Sequence, residues 1–204
     1  WVFISGADYK NLKNMLSKIT EDHHILATTG TNYINIKNQQ PTIIYNLSLT
    51  PNEKKEIINA FEKLINQFNI KSHTTKEDQL QDRDSQITLS AIGRNADFEA
   101  KRLYDPDGTK RKEWIEFLKQ HLDESKYDFK IGGTTSIDIT KKGFDKAWGI
   151  QQFASHHSVP LSNILFFGDK IYPGGNDYAA TKIVDCISVK NPQDTLNKLK
   201  VLFP

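Results

Sequence analysis

Only one cysteine, Cys186, occurs in the 204 residues. An internal disulfide framework is therefore excluded, and the lone thiol suits a reducing compartment. It stands between Asp185 and Ile187 in an apolar-leaning segment, where it reads as a small buried hydrophobe. Long apolar runs are missing as well. No stretch of about 18 apolar residues exists and no signal peptide is visible, so the expectation is a soluble, cytoplasmic chain without a membrane partner. Charge of one sign is scarce: 27 basic and 25 acidic residues leave a formal charge of +2. That is too little to argue for nucleic acid, and the interspersed Lys and Asp/Glu describe an ordinary solvated surface. Repeats and low-complexity tracts are also lacking. The chain opens at Trp1, inside a strand and not at a Met, which reads as a fragment. A chain of this length buries about 70% of its unfolded surface, enough for one or two domains.

The most informative stretch runs from Ile164 to Asp177. Ile164 to Phe167 is a short apolar run that suits a buried parallel strand. It stops at Gly168, with Asp169 at its carboxyl end, the edge where open α/β sheets bind ligands. Pro173, Gly174 and Gly175 turn the chain, and Asn176 suits the N-cap of a helix starting near Asp177. Two carboxylates thus flank one glycine-lined loop. Hard oxygen ligands of this kind suit magnesium, which takes one or two carboxylates plus waters and phosphate. The plainer alternative is that Asp169 caps a turn and Asp177 merely begins a helix.

Along the chain, Trp1–Ile4 reads as a strand ended by Ser5-Gly6. Asp8 to Lys18 has helical spacing, with Leu12, Met15, Leu16 and Ile19 on one side. Residues 25–27 and 33–36 read as strands turned by Gly30. After Pro41 come a strand at 43–47 and a strong helix start, in which Thr50 caps, Pro51 takes the first helical position and Glu53 completes a capping box. Ile57, Ile58, Phe61, Leu64, Ile65 and Phe68 form its apolar stripe. Residues 71–84 read as a polar, irregular loop, and 86–92 as a half-buried strand. A second helix covers 110–122, and strands at 129–131 and 136–139 are separated by Gly132-Gly133. The segment 42–144 is therefore an α+β insert within an α/β core made of 1–41 and 145–204. Lys146 opens a helix with Ile150 and Phe153. Residues 186–189 form a strand, and Asn191-Pro192 starts a last helix with Leu196, Leu199 and Leu202 facing inward. His23-His24 and His156-His157 each diverge on their own element, so neither is a chelate and surface positions are expected.

Phe167-Gly-Asp-Lys-x-x-Pro-Gly-Gly-Asn-Asp177 resembles the fourth signature motif of the haloacid-dehalogenase superfamily, in the spelling of eukaryotic-type phosphomannomutases. The resemblance continues through Ser5-Gly-Ala-Asp-Tyr9, where that family tends to carry glycine at position 5, through Ser90-Ala-Ile-Gly-Arg94, Gly132-Gly-x-x-Ser-x-Asp138 and Gly143-Phe-Asp-Lys146, and so extends over most of the chain. It implies a Rossmann-like core with an inserted α+β cap of the superfamily's class IIB type. Magnesium would be held by Asp169, Asp177 and Asn176. Lys146 would offset phosphate charge, and Ser5 would donate to a phosphoryl oxygen unless it simply caps its strand. Arg83, Arg94 and Lys101 would grip a distal phosphate, with Lys101 standing where the family has arginine; Ser136 and Asp138 would contact sugar hydroxyls. The implied activity is phosphomannomutase-like transfer on a hexose phosphate, with a hexose 1,6-bisphosphate as activator and a homodimer formed through the cap. A sugar phosphatase and a catalytically incomplete phosphosugar-binding fragment are the alternatives.

The superfamily's nucleophile motif, DxDGT, is spelled at Asp105-Pro-Asp-Gly-Thr109. It follows a half-charged segment, leads into an amphipathic helix and lies after the second motif. A type I turn with a helix start explains it without catalysis. The strand expected to carry the true motif would precede Trp1.

Overall fold

The chain begins with β1 (Val2–Ile4) and α1 (Tyr9–Met15), whose Asp8 N-cap accepts from the Asn11 amide. Parallel pairing joins β1 to β2 (His23–Ala27), which continues antiparallel into β3 (Asn32–Lys37) and then β4 (Gln40–Asn46). Leu12 of α1 packs on Ile25, Ala27 and Ile34. Met15, placed on the same side by its spacing, is instead 75% exposed, because the helix ends there and nothing covers its last turn. The structure is a computed structural model describing residues 1–203. It divides into two compact units, residues 1–44 with 145 onward, and residues 45–144.

The second unit holds α2 (Pro51–Gln67), α3 (Lys76–Gln79), β5 (Leu80–Asp82), β6 (Gln86–Ser90), α4 (Phe98–Tyr104), α5 (Thr109–Lys119), β7 (Tyr127–Gly132) and β8 (Ser136–Lys141). The capping box at Thr50 and Glu53 starts α2. The strands form an antiparallel sheet in the order β5-β6-β8-β7. One face, with Ile87, Leu89, Ile137 and Ile139, packs on Ile57, Phe61 and Leu64 of α2 and on Trp114 and Leu118 of α5. Two expectations change here. Residues 71–84 are ordered, because Asp78 accepts from Thr74 Oγ1 and from the backbone and side chain of Asn95. All five residues of β6 are buried, not half of them, since polar neighbours cover its second face.

The first unit resumes with α6 (Lys146–His157), β9 (Leu165–Gly168), β10 (Asp185–Ser188) and α7 (Pro192–Leu202). β9 and β10 pair in parallel as a separate two-stranded sheet. Among the described residues, the second edges of β1 and β9 pair with nothing. Both line an apolar trough of about 710 Å³, with Leu199 and Phe203 at its rim. Leu196 and Leu202 are 45% exposed, so the inward stripe expected of α7 has no packing partner to bury it. Cys186 is half-buried, its thiol donating to the Val184 carbonyl at 3.4 Å.

Candidate active site

At the carboxyl end of β9, Gly168 is buried and a Cβ there would lie 2.7 Å from Asp177 Oδ2. Glycine is what lets the Asp177 carboxylate rest against the strand. Asp177 is only 1% exposed. Its Oδ2 accepts from the Lys170 amide at 2.9 Å, and its Oδ1 accepts from Lys146 Nζ. Burial alone would raise this carboxyl. The Lys146 charge and hydrogen bond, then the Lys170 amide and the Asp169 side chain, outweigh it and hold the group below the usual carboxylate range.

Lys146 is the first residue of α6, after an N-cap at Asp145 that accepts from the Trp148 amide. A cation is disfavoured at a helix N-terminus by the macrodipole. Its place there makes sense through Asp177, which compensates the charge at a site where both are buried. Asp169 is exposed and adjacent; Asn176 is exposed on the turn. The expected helix near Asp177 is a single 3-10 turn, Tyr178–Lys182, and its cap is Asp177, not Asn176. That carboxylate makes no cap hydrogen bond because both oxygens are turned toward Lys146 and Lys170.

Ser5 ends β1. Its carbonyl accepts from the Thr29 amide at 2.8 Å and its Oγ accepts from the Ala7 amide at 3.1 Å, which leaves the hydroxyl proton to be donated. Gly149 of α6 packs so close to this segment that a Cβ would stand 2.5 Å from the Thr29 carbonyl oxygen. The N-terminal half of α6 is thereby fixed beside the turn after β2.

Among the described residues no group of three or more His, Cys, Asp or Glu is placed to hold a metal. The donor set at this loop is two carboxylates, Asp169 and Asp177. It fits magnesium, which is content with one or two carboxylates and fills its octahedron with water and phosphate.

In the second unit the sheet face opposite the apolar core is polar. Thr88 Oγ1 donates to Asp138 Oδ1 at 2.7 Å, Gln86 Nε2 donates to Thr88 Oγ1 at 2.9 Å, and the Ser90 and Ser136 hydroxyls are 3.0 Å apart. Burial pushes the Asp138 carboxyl up, only partly offset by Thr88, Arg83, Lys130 and Gln86. Arg83 donates from Nη2 to Gln81 Oε1. Arg94 and Lys101 meet elsewhere in this unit: Lys101 Nζ donates to the Arg94 carbonyl at 2.8 Å. Lys101 thus braces the Arg94 backbone. Gln86, Thr88 and Lys130 escaped sequence reading, although strand parity puts Thr88 opposite Asp138.

Asp105 is not a free carboxylate. Its Oδ2 accepts from Arg111 Nε at 2.7 Å and its Oδ1 from the Lys110 amide at 3.0 Å. Arg111 also donates from Nη1 to the carbonyls of Gly132 and Gly133. The pair is buried and ties the start of α5 to the β7–β8 turn. Asp107 bonds the Thr109 amide and hydroxyl, as a helix start requires. Of the histidines, His156 and His157 are exposed as expected, whereas His23 is buried and His24 half-buried, and His24 and His157 converge on the Tyr33 hydroxyl.

A parallel strand ending in Gly-Asp, a helix headed by the buried Lys146 and an inserted α+β unit give the chain an α/β fold of the haloacid-dehalogenase type. Solved structures share this fold. An N-terminally truncated IMP-nucleotidase from Plasmodium falciparum superposes over 99% of this chain and 60% of its own, with TM-score 0.65 and 17% identity. A haloacid dehalogenase-like hydrolase from Bacteroides thetaiotaomicron covers 99% and 86%, with TM-score 0.65 and 13% identity.

The chain belongs to the eukaryotic phosphomannomutase family, whose model matches residues 1–204. The phosphomannomutase of Arabidopsis thaliana is 28% identical over 98% of this chain and 81% of its own length. That of Saccharomyces cerevisiae is 36% identical over 61% of the chain and 50% of its own length.

Proposed function

We propose that this chain serves phosphoryl transfer on a hexose phosphate, interconverting mannose 6-phosphate and mannose 1-phosphate. The observation that carries the reading is the buried Lys146–Asp177 pair beside Asp169 at the carboxyl end of β9. A fixed cation in a dry setting offsets phosphoryl charge without reorganising. Lys146 would take that role, and the Ser5 hydroxyl would donate to a phosphoryl oxygen. Asp169 and Asp177 would hold magnesium, with Asn176 beside them, and the ion when bound would neutralise charge on the phosphoryl oxygens.

Groups in the inserted unit suit a sugar phosphate. Arg83 and Arg94 offer forked donors for a distal phosphate, and Ser136 and Asp138 face sugar hydroxyls with one donor-acceptor and one acceptor. Lys101 contributes to this grip by holding the Arg94 backbone. In this reading a hexose 1,6-bisphosphate would act as activator. A homodimer would form through the inserted unit, where α4 exposes Phe98 and Leu103. The reading places the protein in the cytoplasm.

A binding role without turnover is the second reading, favoured by the Asp105 carboxylate being closed off by Arg111 and Lys110. Incubating the protein with mannose 6-phosphate, with and without bisphosphate, and following products by phosphorus NMR tests both. Mannose 1-phosphate, stimulated by the bisphosphate, supports the mutase. Free phosphate as the main product makes it a sugar phosphatase, and binding by calorimetry with no product supports the binding role.

A further inference from the structure

Asp138 sits in the middle of β8, directly opposite Thr88 of β6 on one side and Lys130 of β7 on the other. Directly opposed residues on adjacent strands share a face, so these side chains meet on the polar side of the sheet. Gln86, two residues before Thr88, lies on that same face. Thr88 Oγ1 donates to Asp138 Oδ1 at 2.7 Å, and Gln86 Nε2 donates to Thr88 Oγ1 at 2.9 Å. A hydroxyl has one proton to give. With the Gln86 N–H filling a lone pair of the oxygen, the Thr88 proton is directed at the carboxylate. Thr88 and Gln86 are 1% and 2% exposed, so water does not compete for these bonds, whereas Asp138 keeps partial access to solvent. Gly132 bounds the other oxygen: a Cβ there would lie 2.7 Å from Asp138 Oδ2. The carboxylate is thus held from two sides.

We propose that Thr88, oriented by Gln86, is a positioning residue for sugar recognition. It fixes the Asp138 carboxylate in one orientation and commits it to accepting, so that it selects a ligand hydroxyl and rejects another acceptor such as a phosphate oxygen. This role rests on the sugar-phosphate reading given above.

Desolvation makes a carboxylate on a sheet face hard to keep ionised, and burial does raise Asp138. Against it act the Thr88 hydrogen bond first, then the charges of Arg83 and Lys130, then Gln86. Lys130 Nζ donates to the Phe144 carbonyl at 2.7 Å, and Arg83 Nη2 to Gln81 Oε1 at the same distance. Both cations act on Asp138 through charge, whereas the Thr88 bond also sets direction. Without that bond burial is less opposed. The carboxyl then rises further and becomes a hydrogen-bond donor over more of the pH range.

Two measurements on the full chain test the role: titration of the Asp138 carboxyl by carbon-13 NMR, and calorimetry with mannose 6-phosphate and with inorganic phosphate. Thr88→Val keeps the side-chain shape and removes the hydroxyl. It should move the Asp138 titration to higher pH and weaken mannose 6-phosphate roughly tenfold, the effect of losing one hydrogen bond to a charged group. Inorganic phosphate should bind as before. Thr88→Ser, which keeps the hydroxyl, should restore both readouts. In an Asp138→Ala background Thr88→Val should add no further loss of affinity, as expected of a residue that acts through Asp138. If Thr88→Val does not fold, Gln86→Met, which frees the Thr88 hydroxyl to turn, should shift both readouts in the same direction. An unmoved Asp138 titration, an equal weakening of inorganic phosphate, or a loss that persists without Asp138 would overturn the role and leave the sugar reading intact. Absence of mannose 6-phosphate binding by the unsubstituted chain would overturn the sugar reading, and this role with it.

Discussion

Lys146 and Asp177 are separated by 31 residues in the chain and joined by a hydrogen-bonded ion pair. Both are nearly inaccessible to water, at 8% and 1% exposure. The lysine heads α6, and the aspartate ends the loop after β9. The pair therefore couples two elements of the core unit as well as supplying the charges of the proposed site.

Removing one partner strands the other. Lys146→Met should destabilise the chain by about 3–5 kcal/mol, the usual cost of leaving one buried charge uncompensated. Urea unfolding at pH 7 measures it. The Asp177 carboxyl is held below its ordinary value, so the pair's stabilisation is present above the unfolded carboxylate pKa and is lost as pH falls through the folded one. The penalty of the variant should accordingly shrink below about pH 4.

The two loop carboxylates should behave differently. Asp169→Ala, at an exposed position, should weaken magnesium binding in calorimetry and leave the unfolding midpoint in place. Asp177→Ala should weaken magnesium binding and also lower the midpoint, because Lys146 loses its counter-charge. Unchanged magnesium affinity in both variants would remove the metal assignment.

Asp105→Asn should leave any covalent phosphoenzyme intact, measured by acid-stable labelling against alkaline release. Its effect should be on stability, with a loss of about 3–5 kcal/mol, since Arg111 would remain charged and buried. Disappearance of the phosphoenzyme with the fold intact would show Asp105 to be the nucleophile.

Asp138→Asn should stabilise the second unit at pH 7 while weakening sugar-phosphate binding. Burial raises this carboxyl, so it is harder to ionise in the native chain than in the unfolded one, and its contribution to stability is lost as pH rises through the folded value. The amide oxygen can still accept from Thr88. Thermal melting at pH 5 and 7.5, with calorimetric titration of mannose 6-phosphate, separates the two effects.

What was legible in the amino-acid sequence was local. Thr50 and Glu53 announce α2 because both partners of a capping box lie within one turn. Lys146 marks the start of α6, whose cap is the residue before it, Asp145. The turn after Tyr104 could be recognised as structural because an amphipathic helix follows at once, although its partner Arg111 could not be named. The bond between Thr88 and Asp138 spans 50 residues and depends on strand register, which no local pattern fixes. Tyr33 and His157 are 124 residues apart. Judging each histidine pair within its own element was sound for chelation and silent about a contact between elements. The stripe on α7 was read correctly as apolar, but burial also needs a covering surface, and Leu196 has none.

The trough between β1 and β9 has a practical consequence for studying this chain. A dye such as ANS brightens on accessible apolar surface, which is why its fluorescence is taken as a mark of molten states. Here such a surface belongs to the folded chain, lined by Val2, Phe3, Leu165 and Phe203. The chain of residues 1–204 should therefore light the dye while its near-UV circular dichroism still shows Trp114 rigidly packed, and unfolding should dim the signal before any aggregate restores it.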